Sequence, residues 1–200
     1  MTKIFLIRHG QSDWNAMERI DGQKDESKLS ELGKKQAHQL AERLSGERIN
    51  RIYSSPLRRA KETAKIIGQG KEIIFDDRLK ERDFGELGGL FIHEIAKEFP
   101  LHFKEWKAEN HYPGKVVESF EELEKRSRAA IEDIAAKEEG TIAVVWHGTI
   151  MRSFLGPLLG IDSRDERVRS KNCSLTTLTV NEGAFTVEKL HDTSHLEDLT

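Results

Sequence analysis

Two stretches of the sequence end an apolar run in a histidine and a glycine: KIFLIRHGQSDWN, residues 3–15, and TIAVVWHGTIMR, residues 141–152. One such pair fits a histidine satisfied by hydrogen bonds at a strand end, with the glycine making the turn. Two pairs in matched context point to His9 and His147 emerging at the same sheet edge and facing one pocket. Arg8 precedes the first histidine, and its planar guanidinium suits bidentate contact with phosphate or carboxylate. Gln11, Ser12 and Asn15 follow as small polar donors, so the pocket reads as built for an anion. A second source of positive charge is YSSPLRRAKETA, residues 53–64, a strand end, a turn and then a helix start whose free N–H groups favour anions. Either Arg58 or Arg59 can reach inward from there. RLKERDFGELGG, residues 78–89, puts Glu81, Asp83 and Glu86 in a glycine-containing loop, where one acid can serve as proton donor.

Metal chemistry is the competing reading. Zinc and iron sites use His-x-x-x-His spacing, paired cysteines or a facial carboxylate, and seldom keep arginines beside the cation. Only His191 and His195 have the i, i+4 spacing, and they lie in HDTSHLED near an acidic C-terminus, where packing of the tail outweighs ligation.

The elements that must position these residues follow from hydrophobic period. Short β-branched runs at 4–7, 49–53, 73–75 and 141–146 are too short for helices and read as buried strands. Between them, SELGKKQAHQLAERL puts Leu32, Gln36, Leu40 and Leu44 on one stripe behind Ser30 as N-cap. RRAKETAKIIG continues the alternation and stops at Gly68, suited to a left-handed C-terminal position. The aromatic-rich stretch from Phe91 to Trp106, interrupted by Pro100, predicts two short helices that cover a site. SFEELEKRSRAAIEDIAAKEEG opens with a Ser119/Glu122 capping box and carries Phe120, Leu123, Ala130, Ile131 and Ile134 on one face. TIMRSFLGPLLG reads as a helix, and LTTLTVNEGAFTVEKL as two strands joined through Asn181, Glu182 and Gly183, an antiparallel edge. Strands alternating with helices predict a three-layer α/β/α sandwich around a mostly parallel central sheet with an antiparallel edge strand. Such sheets bind ligands beyond the carboxyl ends of their strands.

Composition sets the outer bounds. Two hundred residues fit one domain spanning 1–200, with 91–119 as a small cap or insert. Charged residues make up 34%, above the usual ~25%, yet the net charge of −3 supplies no basic field for nucleic acid. Cys173, the single cysteine, reads as a small buried strand residue. No basic region followed by an apolar stretch stands at the N-terminus, and no apolar run reaches the ~18 residues of a membrane span. A cytoplasmic protein, partnered by neither nucleic acid nor membrane, is the expectation.

Taken together, LIRHGQSDWN, LSELGKKQA, YSSPLRRAKETA, LKERDFGELGG and VVWHGTIMR, in this order and over nearly the whole chain, resemble the histidine phosphatase superfamily, also called phosphoglycerate-mutase-like. The closing HDTSHLE resembles the tail of its small broad-specificity phosphatases. The resemblance implies that His9 is a nucleophile forming a phosphohistidine, and that Arg8, Arg59 and His147 hold the phosphoryl oxygens. It assigns Arg59 rather than Arg58, since Arg59 immediately precedes Ala60, makes Glu81 the proton donor, and lets Gln11 and Asn15 line the phosphate pocket. It implies no metal, no organic cofactor and a small phosphorylated metabolite as substrate. Phosphate monoesters resist hydrolysis so strongly that an enzyme must supply on the order of 20 kcal/mol of positioning and charge stabilisation. His9 must attack as neutral imidazole with one nitrogen held and the other free, while His147 serves better as a donor toward phosphate.

The chain departs from the family habit at Trp146, where a small polar residue is common, at Gly88, where an acid is frequent, and at Val117, where a glycine often stands. None of these removes a site residue. Cofactor-dependent phosphoglycerate mutases carry a longer central insert and tail than this chain, so the phosphatase reading leads and the mutase reading follows. A noncatalytic phosphate-binding protein of the same fold would need neither nucleophile nor acid. An edge strand near 175–180 offers a surface for a homodimer.

Overall fold

Strand β1 (Thr2–Arg8) is buried on both faces because its neighbours in the sheet are strands and its faces are covered by helices. The computed structural model describes residues 1–98 and 117–199. In chain order β1 is followed by α1 (Asp13–Ala16), α2 (Glu31–Arg43), β2 (Ile49–Ser54), α3 (Arg58–Gly68), β3 (Ile73–Phe75) and α4 (Ile92–Glu98). Then come α5 (Phe120–Lys137), β4 (Gly140–Trp146), α6 (Gly148–Leu158), β5 (Leu175–Asn181) and β6 (Ala184–Asp192). The six strands form one sheet in the order β3-β2-β4-β1-β5-β6. β1, β2, β3 and β4 run parallel, while β5 is antiparallel to β1 and pairs with β6 as a hairpin at the sheet edge. Glu182 and Gly183, with φ of 50° and 81°, make the tight turn that this hairpin needs.

Alternation along β1 divides the core in two. Ile4 and Leu6 pack with α5 and α6 on one face, while Phe5 and Ile7 pack with α2 and α3 on the other. The expected three layers are therefore present. α5 begins as expected, with Ser119 and Glu122 closing a capping box, and it buries Leu123, Ala130, Ile131 and Ile134.

Three local expectations are corrected. The buried face of α2 is Gly33, Ala37, Leu40 and Ala41, with Leu32 left exposed. α2 lies so close to the loop after β1 that a Cβ on Gly33 would stand 2.0 Å from the Gln11 carbonyl oxygen. The left-handed residue after α3 is Gln69, with φ of 48°, while Gly68 stays helical and packs on Ile52. Cys173 is buried but sits in the turn before β5, with φ of 55°, where its N–H is shared by the carbonyls of Arg8 and His9. The first of the two helices expected between Phe91 and Trp106 is α4; residues 99–116 lie outside the described residues. Among the described residues no helix is long and apolar enough to cross a membrane.

Candidate active site

β1 and β4 are paired in register so that Arg8 stands beside Trp146, and both strands end level. The next residue of each is a histidine, and the His9 N–H donates to the Trp146 carbonyl at 3.0 Å. The two imidazoles come to lie 5.0 Å apart between ring centres, at 59°. Both are buried, His9 at 2% exposure and His147 at 0%.

His9 is fixed by its own turn. Nδ1 lies 2.7 Å from the Gly10 carbonyl oxygen, which can only accept, so Nδ1 carries the proton and donates. Nε2 is left with a lone pair, toward which Arg59 Nε–H donates at 3.3 Å. Gly10 permits this turn because a Cβ there would meet the Gly33 carbonyl oxygen at 2.5 Å, and its N–H is held by Thr63 Oγ1 at 3.1 Å. Burial first, then the charges of Arg59 and Arg8, push the His9 pKa well below its ordinary value. A neutral imidazole with one nitrogen anchored and the other free is the protonation state a nucleophile requires.

Arg59, on the first turn of α3, is completely buried, whereas Arg58 is exposed and pairs with Glu62 at 2.9 Å. Its Nη atoms donate to the carbonyls of Gly22 (2.7 Å) and Lys24 (3.2 Å), and Asp21 Oδ2 lies 4.0 Å from Nε. Asp21 is itself held by Ser12 Oγ and Asn15 Nδ2. Arg8, half-buried, donates from Nη1 to the Ser170 carbonyl, and its Nε is buried without a partner among the described residues. Its guanidinium lies against Gly148, where a Cβ would come within 3.2 Å. Burial lowers the pKa of both arginines, while Glu81 and Asp21 act in the opposite direction.

His147 is the N-cap of α6. Its Nε2 lies 2.8 Å from Ser55 Oγ, which also accepts the Leu57 N–H at 3.2 Å, and its Nδ1 is buried without a partner among the described residues. With the Ser55 hydroxyl donating to Nε2, the proton of a neutral ring resides on Nδ1, ready to donate to an anion. Burial and then Arg59 drive the His147 pKa well below its ordinary value. Glu81 reaches the same helix start: Oε2 accepts from the Thr149 N–H at 3.0 Å, and Oε1 from the N–H groups of Ile150 (3.0 Å) and Arg82 (2.8 Å). Asp83 and Glu86 do not share this place; Asp83 accepts from the Gly85 N–H within its own loop.

The structure thus gathers Arg8, His9, Arg59, Glu81 and His147. The Gln11 side-chain oxygen Oε1 accepts from the Ser30 hydroxyl at 2.8 Å, leaving the amide nitrogen as the end available to a ligand. Asn15 has both ends engaged, with Asp21 on one side and with Asn172 and Ser12 on the other. Asn172 also donates to the His9 carbonyl at 3.1 Å, so Asn15 braces the loop that carries His9. His191 and His195 pack on Thr176 Oγ1 and the Cys173 carbonyl, as their tail position implied. Sequence reasoning missed Asp21, Ser55 and Asn172. Ser55 lies inside YSSPLRRAKETA, where its type signals only a turn, while Asp21 and Asn172 occupy loops that carry no periodic signal.

A family model described as histidine phosphatase superfamily (branch 1) matches residues 4–193. A metal-independent phosphoserine phosphatase from Arabidopsis thaliana is 37% identical over 207 residues, covering 100% of this chain and 85% of that protein. A probable phosphoglycerate mutase GpmB from Yersinia pestis is 35% identical over 211 residues, covering 98% and 96%. Among solved structures, Bacillus stearothermophilus YhfR superposes with a TM-score of 0.91 at 30% identity, covering 98% of this chain and 100% of that one.

Proposed function

The chain belongs to the histidine phosphatase superfamily, branch 1, and from that premise we propose that it hydrolyses a small phosphorylated metabolite through a phosphohistidine on His9. The observation that carries the proposal is the state of His9: Nδ1 is committed to the Gly10 carbonyl, and Nε2 is unprotonated between Arg59 and the His147 ring. In the first step the Nε2 lone pair forms a bond to phosphorus while the ester P–O bond breaks. Glu81, protonated in the substrate complex, gives its proton to the leaving oxygen. In the second step water attacks phosphorus, its proton passes to Glu81, and the N–P bond breaks to release phosphate and restore neutral His9. Arg8, Arg59, His147 Nδ1–H and the Gln11 amide hold the equatorial oxygens, where charge is spread in a loose transition state. Each is fixed before substrate arrives, so little reorganisation is needed.

The guanidinium groups of Arg8 and Arg59 and the N–H of His147 Nδ1 are donors that suit an oxyanion, and the two arginine charges would repel a cation. The reaction is accordingly assigned to protein groups alone, in line with the metal-independent relative. One domain over 1–200 with 91–119 as a small cap or insert stays part of this proposal, residues 99–116 of it lying outside the described residues. Likeness to the mutase relative favours a second reading, in which a second metabolite rather than water takes the phosphoryl group.

Rapid-quench trapping with labelled phosphoserine, followed by peptide mass spectrometry, tests both. Label on His9 with release of free phosphate is the expected result, unchanged by EDTA. Label passing to a second metabolite selects the mutase reading. Turnover that survives His9→Ala, or that EDTA abolishes, overturns the mechanism.

A further inference from the structure

Glu81 and Arg8 share one more feature. Both line a cavity of about 160 Å³ whose other walls include Gly148 at the start of α6, Arg152 one turn further along, and Arg169 from the loop before β5. If Glu81 protonates the leaving oxygen, the cavity it walls must be where the leaving group sits, since a proton donor has to reach that atom. The charges around that volume are then informative: three guanidinium groups and one carboxylate.

Arg152 is the unusual member. It is half-buried, and among the described residues its Nε has no hydrogen-bond partner and it makes no salt bridge. Its guanidinium stacks over Phe120 at 5.4 Å, which holds the fork in place by an aromatic face and leaves its N–H edge unspent. Burial lowers its pKa and Glu81 acts against that shift, yet no carboxylate is bonded to it. Arg169 is exposed and held only at the surface by Glu166 at 3.1 Å, a pair of small worth that gives way readily to a better anion. Arg8 Nε is likewise buried and, among the described residues, unpartnered at the boundary with the proposed phosphoryl site.

We propose that Arg152 and Arg169 form a second anion subsite, so that the preferred substrates are phosphomonoesters whose leaving alcohol carries its own anionic group, a carboxylate or a second phosphate. This rests on the phosphatase reading above and narrows it. Three guanidinium groups against the single carboxylate of Glu81 give the cavity an excess of positive charge that an uncharged leaving group leaves unpaired and an anion satisfies. The Gly148 backbone permits the close approach, because a side chain there would meet the Arg8 guanidinium at 3.2 Å.

The cleanest probe pair is O-phosphoserine and O-phosphoethanolamine, which differ by one carboxylate. A propanediol bisphosphate, compared with propanediol monophosphate, does the same for a second phosphate. The readout is the ratio of kcat/KM within each pair for the wild-type protein, Arg152→Met and Arg169→Met. The wild type is expected to prefer the anion-bearing member of at least one pair, and each substitution to cut that ratio about tenfold or more, the size of one charge-assisted contact. The pair that shows the preference identifies the anion. A ratio near one in the wild type overturns the proposal, as does a ratio that both variants leave intact. Should Arg152→Met fail to fold, the exposed Arg169→Met carries the test. Absence of phosphate release from every probe by the wild type would instead refute the phosphatase reading itself, so the two failures are distinct.

Discussion

Mild acid should destabilise this fold before any carboxylate titrates. His9 and His147 are buried and held neutral, with burial the larger cause and the arginine charges the next. In the unfolded chain the same imidazoles titrate near the ordinary value of about 6.5. The folded pKa values are depressed, so the stability at issue is complete above about pH 6.5 and is lost as the unfolded chain takes up protons that the folded one refuses. With both folded rings neutral throughout, moving from about pH 7.5 to about pH 5.5 favours the unfolded state by about 1.4 kcal/mol per histidine, about 2.7 kcal/mol for the pair. Urea titrations at several pH values across that window provide the measurement, with the slope m checked for constancy. His191 and His195 are shifted in the same direction by burial, so the total slope exceeds that of the pair. Their contribution cancels in the comparison with His9→Gln and His147→Gln, each of which should remove about 1.4 kcal/mol of pH dependence. A wild-type stability that is flat from about pH 7.5 to about pH 5.5, or two variants with the wild-type slope, would refute the reasoning that both rings are neutral in the folded protein.

Three further perturbations separate the roles of neighbouring groups. Glu81→Gln should lower kcat on alkyl phosphates by about 10²- to 10⁴-fold and affect p-nitrophenyl phosphate, whose leaving group needs little protonation, far less; equal losses would remove Glu81 as the proton donor. Ser55→Ala takes away the one partner of His147 Nε2 among the described residues and should cost about tenfold in kcat/KM, with recovery in Ser55→Thr. If threonine does not restore the rate, the hydroxyl is not what orients the ring. Gly33→Ala drives a Cβ to 2.0 Å from the Gln11 carbonyl oxygen and should cost about 1–3 kcal/mol in urea unfolding together with activity, because the displaced loop carries Gly10. Gly46→Ala, with nothing within 4 Å, is the neutral control.

The parts of the site legible in the sequence are those carried by regular structure. His9 and His147 announce themselves because a buried strand must be continuously apolar, so the first polar residue after it marks the sheet's carboxyl edge. Their level placement depends on β1 and β4 being adjacent in register, which no local pattern encodes. Arg59 could not be told from Arg58 by composition; helix phase decides it, placing one under the sheet edge and the other beside Glu62 in solvent. Leu32 misled for a physical reason. Hydrophobic period assumes that the buried face carries the larger side chains, and here α2 approaches the Gly10–Gln11 backbone so closely that only glycine fits the contact. Asp21 and Asn172 were silent because their positions are set by long-range hydrogen bonds between loops, to Ser12 and Asn15 in one case and to the His9 carbonyl in the other.

The unpartnered donors tie the fold to its chemistry. Arg8 Nε, His147 Nδ1 and Arg152 Nε are all buried without hydrogen-bond partners among the described residues, and each such group costs about 1–3 kcal/mol. A fold under selection for stability alone would fill these places with carboxylates or apolar side chains. Asp21 does stand beside Arg59, but at 4.0 Å, with its oxygens already taken by Ser12 and Asn15. It offsets the charge of Arg59 without occupying the guanidinium edge that faces His9. Burial first, and then the same arginines that the proposed mechanism sets against the phosphoryl group, hold both histidines toward the neutral form, since a positive ring beside them would add like charge in a dry site. In the proposed reaction one arrangement of charge does two jobs: it supplies the field that stabilises the transferring phosphoryl group, and together with burial it keeps the lone pair on His9 available for attack.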